Sequence, residues 1–128
     1  MANRRKVTVI DDDRSVLKAT ERLLCARVFE VETFASAEAF LACTATPPTT
    51  CLVLDINLGG ISGIELRRRL KVSNPNLPVI FITAIDSEAT RKDAMEAGCV
   101  AYLRKPFLSR ALIKAIERAT GLSTDATK

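Results

Sequence analysis

From Cys51 the chain reads Cys-Leu-Val-Leu-Asp, four apolar residues in a row that stop at one carboxylate, Asp55. A strand with one face in water alternates apolar and polar side chains. An unbroken apolar run is instead buried on both faces, as in a parallel sheet covered by helices. A second such run spans Val79 to Ile82; the β-branched run Val7 to Ile10, which includes Thr8, and Val100 to Leu103 read as two more short strands. Glycines at 59, 60 and 63 let the chain turn over the strand end after Asp55 and begin a helix near Ser62. An acid at the carboxyl end of a central parallel strand lies where open α/β sheets bind ligands. Taken alone, such an acid more often caps a loop than reacts.

The segments between these runs carry the helical period. Val16, Leu17, Leu23 and Leu24 against Lys18, Glu21, Arg22 and Arg27 predict an amphipathic helix from Arg14 to Ala26, with Asp13 as its cap. Phe29, Val31 and Thr33 alternate with Glu30 and Glu32, which predicts a half-exposed strand near a sheet edge. A short helix capped by Ser36 follows, then a loop from Thr44 to Thr50 containing Pro47 and Pro48. Between Ile64 and Val72 a helix turns Ile64, Leu66 and Leu70 inward and Arg67, Arg68, Arg69 and Lys71 largely outward, and Asn74-Pro75 ends it. Ser87 to Ala97, capped by Asp86 or Ser87 and closed by Gly98, is the next helix. Ser109 opens the last helix, Gly121 stops it after Thr120, and the tail from Leu122 to Lys128 is expected to be unstructured. Five strands alternating with five helices imply right-handed crossovers and a mostly parallel sheet.

With 128 residues the chain is expected to form one domain, residues 1–121, followed by a flexible tail, residues 122–128. No apolar stretch approaches the roughly 20 residues of a membrane span. The residues after Met1 do not lead into a signal peptide, so a cytoplasmic location is expected, with no membrane partner. Four scattered cysteines, without a Cys-x-x-Cys pair or any histidine, read as reduced core residues. The net charge of +4 is spread over several helices, with clusters only at Arg4 to Lys6 and Arg67 to Arg69, so direct nucleic-acid binding is not expected.

Collecting the residues just past the apolar strands gives Asp11 and Asp12, then Asp55, Thr83 and Lys105. In a doubly wound sheet these ends share one edge and can meet around one pocket. Three clustered carboxylates repel one another and call for a cation; a small, incomplete all-oxygen site suits Mg²⁺, which keeps several waters. A lysine and a hydroxyl beside it supply what a phosphoryl group needs, a positive charge and a hydrogen-bond donor. A carboxylate can then serve as nucleophile toward phosphorus.

With the acidic pair, Leu-Asp-Ile-Asn-Leu, Phe-Ile-Thr-Ala and Lys-Pro-Phe in this order and spacing, the chain resembles the response-regulator receiver domains of two-component signalling from about Lys6 to Thr120. The resemblance implies a flavodoxin-like α/β fold: five parallel strands in the order 2-1-3-4-5, with helices on both faces. It implies Asp55 as phospho-acceptor, Asp11, Asp12, Asp55 and the backbone carbonyl of Asn57 as ligands of Mg²⁺, and Thr83 and Lys105 as contacts of the phosphoryl group. Tyr102 matches an aromatic switch position whose side chain turns inward when Thr83 is drawn toward phosphate. The implied donor is a histidine kinase or phosphotransfer protein, and the output a downstream protein or a DNA-binding domain, with a phosphorylation-dependent dimer as a further state. Such a domain assists its own phosphorylation and dephosphorylation and is not a turnover enzyme.

Ser-Ala-Glu-Ala-Phe-Leu at 36 to 41 resembles the FixJ-type branch, whose receivers are often joined to a LuxR-like helix-turn-helix domain, so the chain also reads as the excised receiver of a DNA-binding transcriptional regulator. Gly59 stands where many members carry proline, and Lys105-Pro106, cis in many of them, is expected to be cis here. Two other functions fit less well. Haloacid-dehalogenase-type phosphatases usually carry a second aspartate two residues after the nucleophile, where this chain has Asn57. A flavodoxin-like flavin protein would have to cradle phosphate in its first loop, where Asp11 to Asp13 would repel it.

Overall fold

The structure, a computed structural model, describes residues 5–27, 29–43 and 49–121. Five strands, β1 (Arg5–Ile10), β2 (Phe29–Phe34), β3 (Cys51–Asp55), β4 (Val79–Thr83) and β5 (Ala101–Arg104), alternate with five helices. These are α1 (Arg14–Cys25), α2 (Ala37–Ala42), α3 (Gly63–Ser73), α4 (Glu88–Ala97) and α5 (Ser109–Thr120). The strands form one parallel sheet in the order β2-β1-β3-β4-β5, which puts the alternating, glutamate-bearing β2 at an edge as its pattern requires.

Unbroken apolar runs supply both faces of this sheet. Val7, Val9, Cys51, Val53, Ile80 and Ile82 pack with Leu17 and Leu24 of α1 and Leu112, Ile113 and Ile116 of α5. Ile10, Leu52, Leu54, Val79 and Phe81 point the other way, against Ile64 and Leu66 of α3 and Ala94 and Ala97 of α4. Two-residue periodicity therefore divides each strand between two cores.

Local signals set the helix starts. Asp13 accepts from the amides of Ser15 and Val16, Ser36 from Ala39, Ser62 from Glu65 and Ser87 from Thr90, each satisfying an N–H that the first helical turn leaves open. The cap of α4 is thus Ser87 and not Asp86. Gly98 closes that helix at φ 92°, in the region that favours glycine. Lys105-Pro106 is cis, as expected.

Two expectations change. Arg67, expected to face outward, is buried with 6% of its surface exposed; Nε donates to Gly98 O at 3.0 Å and Nη1 to Leu77 O at 3.1 Å. It lies one turn on from Ile64, so helix phase carries it inward while Arg68 and Arg69 stay in solvent. Of the four cysteines only Cys51 is a core residue; Cys25 is exposed and Cys43 and Cys99 are half-buried. Ser109 opens α5 and Gly121 follows its end at Thr120, as expected; Leu108 occupies the cap position, without a side-chain cap bond. Residues 44–48 of the loop before β3 and the tail 122–128 lie outside the described residues. Among the described residues no helix is long and apolar enough to cross a membrane.

Candidate functional site

The carboxyl ends of β1, β3, β4 and β5 meet at one edge of the sheet. β1 delivers Asp11, fully buried, and the exposed Asp12; β3 ends on Asp55, with 3% of its surface exposed. Oxygens of these three carboxylates lie within 4.8 Å of one another. The ammonium of Lys105, reached just past β5, stands 2.8 Å from Asp11 Oδ2 and 3.4 Å from Asp55 Oδ2. Asp11, Asp12, Asp55 and Lys105 therefore come together as the strand-end reading expects.

Main-chain amides fix both buried carboxylates. Asp11 Oδ1 accepts from the Asp13 amide at 2.9 Å, and Asp55 Oδ1 from the Asn57 amide at 3.1 Å. α3 presses directly on the end of β3: a Cβ on Gly63 would lie 2.3 Å from the Asp55 carbonyl oxygen, so only glycine permits this approach. The loop between them is tethered from α2, where Glu38 Oε2 accepts from the Ile61 amide at 2.9 Å. That bond holds the Glu38 carboxyl below the usual carboxylate range, ahead of any contribution from Arg69. Glu38→Ala is expected to speed hydrogen exchange of the Ile61 amide several-fold while leaving the global unfolding midpoint in place, because one loop contact opens locally. Exchange at Ile61 equal to wild type would show that the loop is held by its own backbone.

The charge balance is uneven. Burial and the neighbouring Asp11 charge push the Asp55 carboxyl up to about 6, against the pull of the Asn57 amide and the Lys105 ammonium. Burial works against the charge on Lys105, but its pairing with Asp11 and the charge of Asp55 outweigh it, so its pKa is raised. Asp11 Oδ2 is buried without an aligned hydrogen-bond donor, and the Lys105 ammonium 2.8 Å away meets it as an ion pair. A buried carboxylate oxygen without an aligned hydrogen bond, beside two more carboxylates, is what a divalent cation would satisfy, and the donor set fits one.

Thr83 is fully buried, and its hydroxyl is engaged away from Asp55. It stands 2.7 Å from Asn57 Oδ1 and 3.0 Å from Ile85 O, both acceptors for its one proton, and accepts from the Ile85 amide at 3.1 Å. The Asn57 side chain thus has a partner that spacing alone did not reveal. Tyr102, on β5, donates from its hydroxyl to Asp86 Oδ1 at 3.0 Å and has the Arg91 guanidinium 4.7 Å from its ring centre.

Known proteins of this shape give the arrangement its family. A family model described as the response regulator receiver domain matches residues 7–117. Nodulation protein W of Bradyrhizobium diazoefficiens is 37% identical over 114 residues, 89% of this chain and 50% of its own length. The transcriptional regulatory protein FixJ of Rhizobium meliloti is 38% identical over 89% of this chain and 56% of its own length. The chain thus spans about half the length of the curated relatives it matches. Among solved structures, the response regulator StyR is 40% identical with a TM-score of 0.83, covering 93% of this chain and 60% of that one. The BeF3-activated DrrB receiver domain is 30% identical with a TM-score of 0.85, covering 93% of this chain and 99% of that one. Both the sheet order and the acid-lysine cluster are accounted for by one conclusion: this chain belongs to the response regulator receiver domain family of two-component signalling proteins.

Proposed function

We propose that Asp55 accepts a phosphoryl group from the phosphohistidine of a partner kinase or phosphotransfer protein, and that Asp11, Asp12, Asp55 and the Asn57 carbonyl hold Mg²⁺ while it does so. The observation that carries this reading is the Lys105 ammonium set between two buried carboxylates, 2.8 Å from Asp11 and 3.4 Å from Asp55, with the Asp12 carboxylate close to both. Mg²⁺, when bound, supplies positive charge that neutralises the carboxylates and the incoming phosphoryl oxygens.

The chain's own residues do the rest. Above a pKa of about 6, Asp55 is an ionised nucleophile. One of its oxygens forms the new bond to phosphorus as the bond from phosphorus to the histidine nitrogen breaks; the imidazole leaves with that electron pair and takes up a proton. Lys105 offsets the charge on the phosphoryl oxygens. The Thr83 hydroxyl contacts them by giving up Asn57, and Tyr102 follows by turning inward, changing the surface of α4, β5 and α5. That surface addresses a downstream protein, a DNA-binding domain or a second copy of the chain. Asn57 carries no titratable proton, so a phosphatase of the two-aspartate kind has no acid-base group at that place.

Incubation with acetyl phosphate and Mg²⁺ followed by intact mass should show one added phosphoryl group, absent from Asp55→Asn. If rapid hydrolysis hides the adduct, beryllofluoride should still bind wild type and not the variant; failure of both would refute the proposal. Metal binding has its own readout. At about ten times its Kd, Mg²⁺ should stabilise the fold by about 1.4 kcal/mol, a rise of roughly 6 °C in Tm. Asp11→Asn should lose that rise. An equal rise in the variant would place the ion elsewhere.

A further inference from the structure

We infer that Asp86 is a positioning residue that, with Arg91, latches Tyr102 away from Thr83 until the site is phosphorylated. The inference rests on the switch reading of Thr83 and Tyr102 given above.

Parallel strands place paired residues on the same face, and β4 pairs with β5 through Phe81 to Tyr102 and Thr83 to Arg104. Thr83 and Tyr102 therefore share the α3 and α4 side of the sheet, one step apart diagonally. What holds Tyr102 in its present rotamer comes from neither strand. Asp86, in the turn between β4 and α4, accepts the tyrosine hydroxyl at 3.0 Å, and its other oxygen lies 3.1 Å from Arg91 Nη2 and 3.8 Å from Arg104 Nη1. Arg91, on α4, also sits over the tyrosine ring at 4.7 Å. Its guanidinium thus grips both the ring and the carboxylate to which that ring is bound. Because Ser87 caps α4, Asp86 is not needed there and its carboxylate is available to Tyr102. The Tyr102 hydrogen bond, first, and the arginines, next, hold the Asp86 carboxyl below its ordinary value, so it stays an anionic acceptor at neutral pH.

For Tyr102 to turn inward, both the hydroxyl bond and the ring contact must break. The turn that carries Asp86 includes Ile85, whose carbonyl and amide are, with Asn57, the present partners of the Thr83 hydroxyl. Movement of Thr83 toward a phosphoryl group therefore pulls on the residue next to the latch. Removing the latch should raise the share of protein already competent for the active state and lower the apparent Kd of the phosphoryl mimic in proportion.

Tyr102 is the single tyrosine of a chain without tryptophan, so tyrosine emission reports on this side chain alone. A carboxylate that accepts from a phenol quenches its emission. Metal-loaded full chain should therefore be compared as wild type, Asp86→Ala and Asp86→Asn, with emission read before beryllofluoride and its affinity measured by calorimetry. Asp86→Ala is expected to brighten the unliganded protein and to bind beryllofluoride about fivefold more tightly. Asp86→Asn, which keeps an acceptor but loses the pull on the arginines, should fall between, and it carries the test if the alanine variant does not fold. Affinity equal to wild type in whichever variant folds overturns the latch alone. If wild type binds beryllofluoride with unchanged emission, the switch reading falls and takes the latch with it.

Discussion

Replacing the proposed acceptor with asparagine is expected to stabilise the metal-free protein at neutral pH, by about 2 kcal/mol, while abolishing phosphorylation. Asp55 has an ordinary pKa of 3.8 and is pushed up to about 6 in the fold, first by burial and then by the Asp11 charge. Its neutral form is the one the fold prefers. The stabilisation from a protonated Asp55 is complete below the unfolded value, declines as pH rises and is lost once pH passes about 6. Above that, the ionised carboxylate is a standing cost of about 1.4 kcal/mol for each pKa unit of the shift, part of it shared with Asp11. Asparagine keeps the size of the side chain and an oxygen for the Asn57 amide, and leaves Lys105 paired to Asp11 at 2.8 Å. Denaturant titrations in chelator should show the gap between variant and wild type opening as pH rises from about 4 to about 6 and staying constant above. A variant less stable than wild type at every pH would mean that the Lys105 contact outweighs burial and repulsion.

Arg67→Leu is expected to cost about 3 kcal/mol, although Arg68→Ala and Arg69→Ala beside it should each stay within about 0.5 kcal/mol. The two neighbours are exposed, and the Arg69 pairing with Glu65 at 3.2 Å is a solvent-screened contact within one helix. Arg67 instead ties three segments together. Its guanidinium leaves α3, donates to the Leu77 carbonyl before β4 and to the Gly98 carbonyl that closes α4, and so holds α4 against α3. Leucine fills much of the space but leaves both carbonyls without a donor. Arg67→Lys should recover less than half of the loss, because an ammonium cannot fork between two carbonyls as the planar guanidinium does. Urea midpoints decide it; a leucine variant within 1 kcal/mol of wild type would show that water replaces the arginine at both carbonyls.

Arg67 also marks where sequence stops informing on structure. Four strands were legible from the apolar runs that burial on both faces leaves and β2 from its alternation, and Asp11, Asp12, Asp55 and Lys105 were legible because they lie just past such runs. Three arginines in a row are chemically identical on paper. Only the phase of the helix separates them, and the stripe of Ile64 and Leu66 carried that phase, since position 67 lies one turn beyond 64. Asp86 was legible as a helix cap by its position before Glu88, yet its actual partner is Tyr102, sixteen residues away on a different element. The bond from Thr83 to Asn57 and the tether from Glu38 to Ile61 are likewise contacts across turns whose paths no local pattern specifies. What sequence conveyed was which atoms reach the sheet edge, and what it withheld was how their neighbours hold them before any ligand arrives.

The site of phosphorylation is the central claim, and it has a direct readout. An acyl phosphate on aspartate is reduced by borohydride to homoserine, which survives digestion and sequencing by mass spectrometry. After treatment with acetyl phosphate and Mg²⁺, the peptide that spans β3 should carry homoserine at position 55, with the aspartates at 11 and 12 unchanged. Homoserine at position 11 or 12, or at no position in protein that has gained a phosphoryl group, would contradict Asp55 as the acceptor.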